Sequence, residues 1–296
     1  MEKVLERPSW LKIKLPGGEE FTKVKSIVGQ NRVNTVCTEA RCPNKSECWG
    51  KGVFTFMILG NVCTRNCAFC SVTSGKPNEL DINEPYRISK VAKELDLKYV
   101  VLTSVDRDDL DDAGSGIFAR CVDELRQTDP NIRIEVLVPD FKGEEKFLDK
   151  VINSNPDIFA HNLETVKSLY PKIKPKSDYE TSLNVLKYSK TKGMITKSGF
   201  MVGLGESLND IFELMDDLAK TGCDILTIGQ YMQPTKKQVS VKKYYTPEEF
   251  QDLKLQALRK GLNNQKGLNK VEAGPFVRSS YHAEENTSFA RPPIKM

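Results

Sequence analysis

Val53-Phe54-Thr55-Phe56-Met57-Ile58-Leu59 runs directly into Gly60-Asn61-Val62-Cys63-Thr64-Arg65-Asn66-Cys67-Ala68-Phe69-Cys70. The first seven residues are dense in β-branched and aromatic side chains and too few for a buried helix, so they read as a strand covered on both faces. Behind that strand three thiols stand at C-x3-C-x2-C spacing. A second trio, Cys37, Cys42 and Cys48 at C-x4-C-x5-C, lies just upstream, so six of the chain's eight cysteines fall between residues 37 and 70. Packing needs do not crowd thiols in this way.

Disulfides, zinc and iron-sulfur clusters are the candidates for such a set. Disulfide frameworks belong to small secreted chains. This one has 296 residues and begins MEKVLERPSW, without the apolar core of a signal peptide. Zinc sites usually pair cysteines as C-x2-C and often recruit histidine, but the two histidines, His161 and His282, are remote in sequence. Clusters fit better. A cubic 4Fe-4S cluster takes four ligands and each trio supplies three, which leaves one iron per cluster for a ligand that is not cysteine.

Outward from the first strand a βα rhythm sets in. Strand-like runs lie at 53–59, 99–103, 132–138, 157–160, 195–201 and 225–230. Between them Asn83 with Pro85, Ser207 with Asp210, and Thr246-Pro247-Glu248-Glu249 read as helix starts, and Gly193 and Gly222 as helix ends. Six such units with right-handed crossovers predict an α/β fold, a partial (βα)6 TIM-like barrel. Sites in such folds gather at the C-terminal strand ends. The cluster loop, Thr103-Ser104-Val105-Asp106, Pro139-Asp140, His161-Asn162-Leu163-Glu164 and Gly203-Leu204-Gly205-Glu206 all fall there. Residues 1–52 read as irregular.

Composition is that of a soluble globular chain, 39% hydrophobic and 28% charged, with no apolar run of the length a membrane span requires. A net charge of +4 is too mild for a dedicated nucleic-acid binder. The lysines at 172, 174 and 176 and at 236, 237, 242 and 243 read as solvated loop residues or, more sharply, as contacts for an acidic protein. Unpaired thiols in this number imply a reducing compartment, the cytoplasm or an organelle matrix. Cys121 and Cys223 read as small buried hydrophobes. His161 reads as a hydrogen-bonded pocket wall, and His282 as ordering the segment before it.

The loop Cys63, Cys67, Phe69, Cys70, with an aromatic before its last cysteine, resembles the signature of the radical S-adenosylmethionine enzymes. Taken with the upstream trio and the tetrad Arg278-Ser279-Ser280-Tyr281, it is similar to the lipoyl synthase family. Arg7-Pro8-Ser9-Trp10-Leu11, Lys14-Leu15-Pro16, Glu39-Ala40-Arg41-Cys42-Pro43-Asn44, Thr103 to Leu110, His161 to Val166, Gly203 to Glu206 and Gly229-Gln230-Tyr231 extend the resemblance over nearly the whole chain.

The resemblance implies a division into an extension carrying the auxiliary trio (1–52), a radical barrel (53–265) and a C-terminal extension carrying the tetrad (266–296). It implies two 4Fe-4S clusters and S-adenosylmethionine as cofactors. Cys63, Cys67 and Cys70 would hold the cluster that cleaves S-adenosylmethionine; Cys37, Cys42, Cys48 and Ser280 would hold an auxiliary cluster that gives up sulfur. Phe69, Ser104, Asn162, Glu164, Gly203 and Gly205 would contact S-adenosylmethionine. The implied reaction inserts two sulfurs at C6 and C8 of an octanoyl chain on a carrier lysine. The implied partners are an octanoylated lipoyl carrier domain or glycine-cleavage H protein, an electron donor such as flavodoxin or ferredoxin, and an iron-sulfur carrier protein. Neither nucleic acid nor membrane is expected. Another two-cluster radical enzyme that inserts sulfur, or a non-catalytic electron-transfer protein, remains compatible with the residues alone.

Overall fold

The computed structural model describes residues 5–12, 17–50, 53–263, 267–280 and 283. These fall into two compact units: the described residues of 14–65, 72–160 and 280–296 form the first, and those of 1–13, 66–71 and 161–279 the second.

The first unit begins with α1 (Glu19–Gln30), β1 (Asn34–Thr35), α2 (Val36–Glu39) and α3 (Lys45–Gly50). Residues 1–52, expected to be irregular, contain three α-helices among the described residues; two of them carry Cys37 and Cys48, with Cys42 between them. Then come β2 (Phe54–Ile58), a small ribbon of β3 (Val62–Cys63) and β4 (Thr73–Ser74), α4 (Glu84–Glu94), β5 (Tyr99–Ser104), α5 (Ser115–Thr128), β6 (Arg133–Leu137), α6 (Glu145–Asn153) and β7 (Ile158–Ala160). Within this unit the strands run β1-β2-β5-β6-β7. β1 is antiparallel to β2, and the rest are parallel, with Ile58 beside Ser104 and Thr103 beside Leu137. All five β2 residues are buried, as a parallel strand covered on both faces requires.

The second unit contains α7 (Tyr170–Ile173), α8 (Tyr179–Thr191), β8 (Thr196–Val202), α9 (Leu208–Thr221), β9 (Ile225–Gln230), α10 (Pro247–Asn263) and β10 (Lys270–Gly274). β9 lies parallel to both β8 and β10. α9 shows why the chain folds this way locally. Ser207 and Asp210 close the expected capping box, Ile211, Leu214, Met215 and Leu218 place one buried stripe on the sheet, and Gly222 at φ 78° ends the helix. Each such fully buried aliphatic side chain stabilises the unit by about 1.5–3 kcal/mol.

All six expected strands are present, with ends shifted by a residue at most. The Thr246–Glu249 capping box also forms, through Thr246 N–H to Glu249 Oε2 at 2.8 Å and Glu249 N–H to Thr246 Oγ1 at 3.2 Å. Asn83 occupies the N-cap of α4 but its side chain makes no capping bond; instead its own N–H donates to Asp81 Oδ1 at 2.9 Å. β10, unanticipated, extends the sheet inside the stretch assigned to the C-terminal extension.

Candidate cluster and cofactor sites

In the first unit the upstream trio is set by two short helices and the reversal between them. Arg41 takes φ 50°, the Cys42 N–H donates to Cys37 O at 3.2 Å, and the Cys48 N–H donates to Asn44 O at 2.9 Å. Phe21 and Phe54 stack on Trp49, with ring centroids 5.2 and 5.8 Å away, and the Lys45 ammonium sits 4.3 Å above the Trp49 ring. This aromatic wall keeps water from Cys37, whose thiol is pushed up to about 11 by burial and then by the neighbouring Cys42. The Trp49 indole N–H, the Thr55 backbone N–H and the charge of Lys45 work in the other direction and favour the thiolate. Thr55 also donates its hydroxyl to Ser280 Oγ at 2.8 Å, across 225 positions of sequence.

Cys63 ends β3. Its sulfur accepts the backbone N–H groups of Asp106 at 3.3 Å and Arg65 at 3.4 Å, while burial and the Asp106 carboxylate push its thiol up to about 11. Arg65, 6% exposed, fixes this corner. It makes paired bonds to Asp108 (2.8 and 2.9 Å) and to Asp140 (2.6 and 2.7 Å), with Asp106 at 3.3 Å. Ser104 ends β5, and its buried hydroxyl has no partner among the described residues.

Cys67, Phe69 and Cys70 belong to the second unit. The Cys70 N–H donates to Cys67 O at 3.0 Å, the Ala68 N–H to Ile173 O at 2.8 Å, and the Gln238 side-chain amide to Cys70 O at 3.1 Å. Phe69 packs on Ile173, Leu204 and Tyr231. Glu164 follows the end of β7. It lies at φ 70° and bridges the β8 edge through its N–H to Gly199 O (3.0 Å) and its carbonyl to the Met201 N–H (2.9 Å). Burial holds its carboxyl above the usual carboxylate range against the pull of Lys174, Asn162 and Arg278.

Asn162 donates to Glu164 Oε1 at 3.0 Å and leaves its buried Oδ1 unpaired. A Cβ at Gly199 would stand 3.1 Å from that oxygen. Lys174, read from sequence as a solvated loop lysine, is only 7% exposed, and its ammonium lies 3.4 Å from both Asn162 O and the Tyr170 hydroxyl. Burial opposes its charge, but Tyr170, Glu164 and Cys67 outweigh that and raise its pKa above the ordinary lysine value.

Gly203 and Gly205 take φ 101° and 113°, and Glu206 closes their turn by accepting the Gly203 and Leu204 N–H groups. A Cβ at Gly203 would collide with Gln230 Nε2 and Lys243 O, and one at Gly229 with Val277 O.

Sequence reasoning thus missed Thr55, the Arg65 carboxylate set and Lys174, none of which has a local signature. His161 is buried, with its backbone N–H donating to Lys197 O at 3.0 Å, and Cys121 and Cys223 are fully buried as expected. Lys14-Leu15-Pro16, Tyr281 and His282 lie outside the described residues.

Among the described residues no three His, Cys, Asp or Glu side chains converge on one point, as a single zinc ion with sulfurs at about 2.3 Å would need. A cubane spreads its ligands over its corners. Shielded thiols provided with N–H donors suit it, because burial that penalises a bare thiolate favours one neutralised by iron. In the second unit the unpaired, buried Asn162 Oδ1 and the left-handed glycine turn suit the polar groups of a ligand.

A family model described as the radical SAM superfamily matches residues 57–218, and one described as the N-terminal domain of lipoyl synthase matches residues 2–42. The lipoyl synthase of Rubrobacter xylanophilus is 49% identical over 287 residues, 96% of this chain and 88% of that protein. That of Flavobacterium psychrophilum is 46% identical, over 95% of each. Among solved structures, Streptococcus suis SuiB bound to S-adenosylmethionine superposes with a TM-score of 0.59 at 13% identity, covering 78% of this chain and 54% of SuiB. The hydrogenase maturase HydG of Carboxydothermus hydrogenoformans gives 0.58 at 15% identity, covering 92% and 71%. Likeness at that identity speaks to the fold alone, and it agrees with the α/β class read from the strand rhythm.

Proposed function

The chain belongs to the lipoyl synthase family of radical S-adenosylmethionine enzymes, and from that membership we propose how its own residues divide the work. The activity is the insertion of two sulfur atoms, at C6 and C8, into a protein-bound octanoyl-lysine. When bound, a 4Fe-4S cluster supplies the electron that cleaves S-adenosylmethionine to methionine and a 5′-deoxyadenosyl radical, and a second cluster supplies the sulfur.

Cys63, Cys67 and Cys70 hold the first cluster, with the Arg65 and Asp106 N–H groups steadying the Cys63 sulfur. Ser104, Asn162, Glu164 and the turn of Gly203 and Gly205 receive the polar groups of S-adenosylmethionine, and Phe69 sets the ring wall of its loop. Cys37, Cys42, Cys48 and Ser280 hold the auxiliary cluster behind the Trp49 wall, the first three on the extension 1–52 and the serine on the segment 266–296 that follows the barrel. The observation that carries this assignment is Thr55, whose N–H meets Cys37 and whose hydroxyl meets Ser280.

The partners follow from the reaction: an octanoylated lipoyl carrier domain or H protein as substrate, a flavodoxin or ferredoxin as electron donor, and an iron-sulfur carrier to rebuild the consumed cluster. Among the described residues no helix is long and apolar enough to cross a membrane. Eight cysteines with no disulfide among the described residues call for a reducing compartment such as the cytoplasm.

Anaerobic reconstitution should give about eight irons per chain. Cys70→Ala should abolish 5′-deoxyadenosine formation, whereas Cys42→Ala should retain it and lose sulfur insertion. Lipoyl product from Cys42→Ala would overturn the auxiliary site as sulfur source.

A further inference from the structure

We propose that Thr55 is a positioning residue for the auxiliary cluster, holding the Ser280 hydroxyl at the corner that the three cysteines leave open. This rests on the reading of Ser280 as a ligand.

Ser280 reaches its place from the far end of the chain, and a hydroxyl is a weak iron ligand that gains from being held where it is needed. Thr55 can hold it. It is 4% exposed, central in β2, and locked on one side by its pairing with Val101 of β5. Its β-branched side chain has few rotamers to lose. Its neighbours Phe54 and Phe56 are fully buried, and Phe54 stacks on the Trp49 that walls Cys37. The backbone N–H of Thr55 meets the Cys37 sulfur, and its hydroxyl donates to Ser280 Oγ at 2.8 Å. One rigid strand residue therefore bonds to Ser280 and neighbours Cys37, ligands contributed by opposite ends of the chain. Because Thr55 donates, Ser280 keeps lone pairs for iron.

The test uses the full chain with Cys63, Cys67 and Cys70 all replaced by Ala, so that only the auxiliary cluster is counted. Reconstituted anaerobically and then mildly oxidised, this parent should keep about four irons and Ser280→Ala about three, because the iron without a protein ligand is the one that oxidation releases. Thr55→Val keeps the shape and removes the hydroxyl; it should also fall to about three irons, and on mild oxidation give the paramagnetic signal of a three-iron cluster. Thr55→Ser should restore about four. In the otherwise intact enzyme, Thr55→Val should lower complete two-sulfur product roughly tenfold more than it lowers 5′-deoxyadenosine formation.

Four irons in Thr55→Val beside three in Ser280→Ala would overturn the positioning role alone. Four irons in Ser280→Ala would overturn the ligand reading and this inference with it. Loss of the whole cluster in Thr55→Val, with a lowered melting temperature of the metal-free protein, would assign Thr55 a purely structural role. If the valine variant does not fold, Thr55→Ala removes the same hydroxyl and is read against the same iron counts.

Discussion

Asp140→Asn probes the ionic anchor beside Cys63. The Arg65 guanidinium is 6% exposed and Asp140 only 4%, so their pair is almost fully removed from water. The pair consists of two charge-assisted bonds, at 2.6 and 2.7 Å, and Asp140 Oδ1 also accepts the Lys142 N–H at 3.0 Å. Breaking a buried pair by removing one partner costs about 3–5 kcal/mol, because the remaining charge is left without compensation. Here Asp108 stays bonded to Arg65 at 2.8 and 2.9 Å and keeps part of that compensation.

We therefore expect Asp140→Asn to cost about 2–3 kcal/mol, a fall of roughly 4–12 °C in melting temperature for a chain of this size. Asp108 is 25% exposed, so water replaces part of what its removal takes away, and Asp108→Asn should cost less. The assay is thermal unfolding of the metal-free protein at neutral pH, followed by circular dichroism. A melting temperature for Asp140→Asn within a degree of the parent, or a larger loss for Asp108→Asn, would refute the view of Arg65 as a buried cation held chiefly by Asp140.

The hydrogen bond from Arg65 holds the Asp108 carboxyl below the usual carboxylate range, so its stabilisation is present above the unfolded value of about 3.9 and lost as pH falls through the folded one. Asp108→Asn should accordingly lower stability at pH 7 by more than it does once the pH has fallen below the ordinary carboxylate range, the difference growing as the pH falls; a loss that does not change with pH would contradict the linkage. Lys174→Met removes the larger of the two cationic attractions on Glu164, Arg278 remaining, and should cost of order 1–3 kcal/mol, most of it recovered in a Lys174→Met, Glu164→Gln double variant. Additive losses in that cycle would show that the two do not interact. Gly203→Ala combines a left-handed backbone with a collision against Lys243 O and should destabilise by about 1–3 kcal/mol, whereas Gly60→Ala, at φ 89° with nothing within 4 Å, should cost about 1 kcal/mol. Equal denaturation midpoints for the two variants would argue against the collision.

The sequence by itself determined what local periodicity and spacing encode. The strand 54–58 is legible because both of its faces are buried, so every residue is apolar or β-branched, and α9 is legible because its cap, stripe and terminal glycine agree. The spacing of the two trios points to iron-sulfur chemistry, and the family they resemble, not the spacing, gives each its role. α1 escaped because it starts at Gly18 without a side-chain cap and carries many charges, so its stability comes from packing more than from any start signal. β10, Lys270-Val271-Glu272-Ala273-Gly274, has a single strongly β-forming residue and exists because five of its residues pair with β9. Tertiary structure alone decided that Lys174 is buried while Lys172 and Lys176 are exposed, that Glu164 bridges β8, and that Thr55 meets a serine 225 positions away. Burial and long-range hydrogen bonding depend on which surfaces the folded chain brings together, and a lysine or serine reads the same in sequence on either side of that outcome.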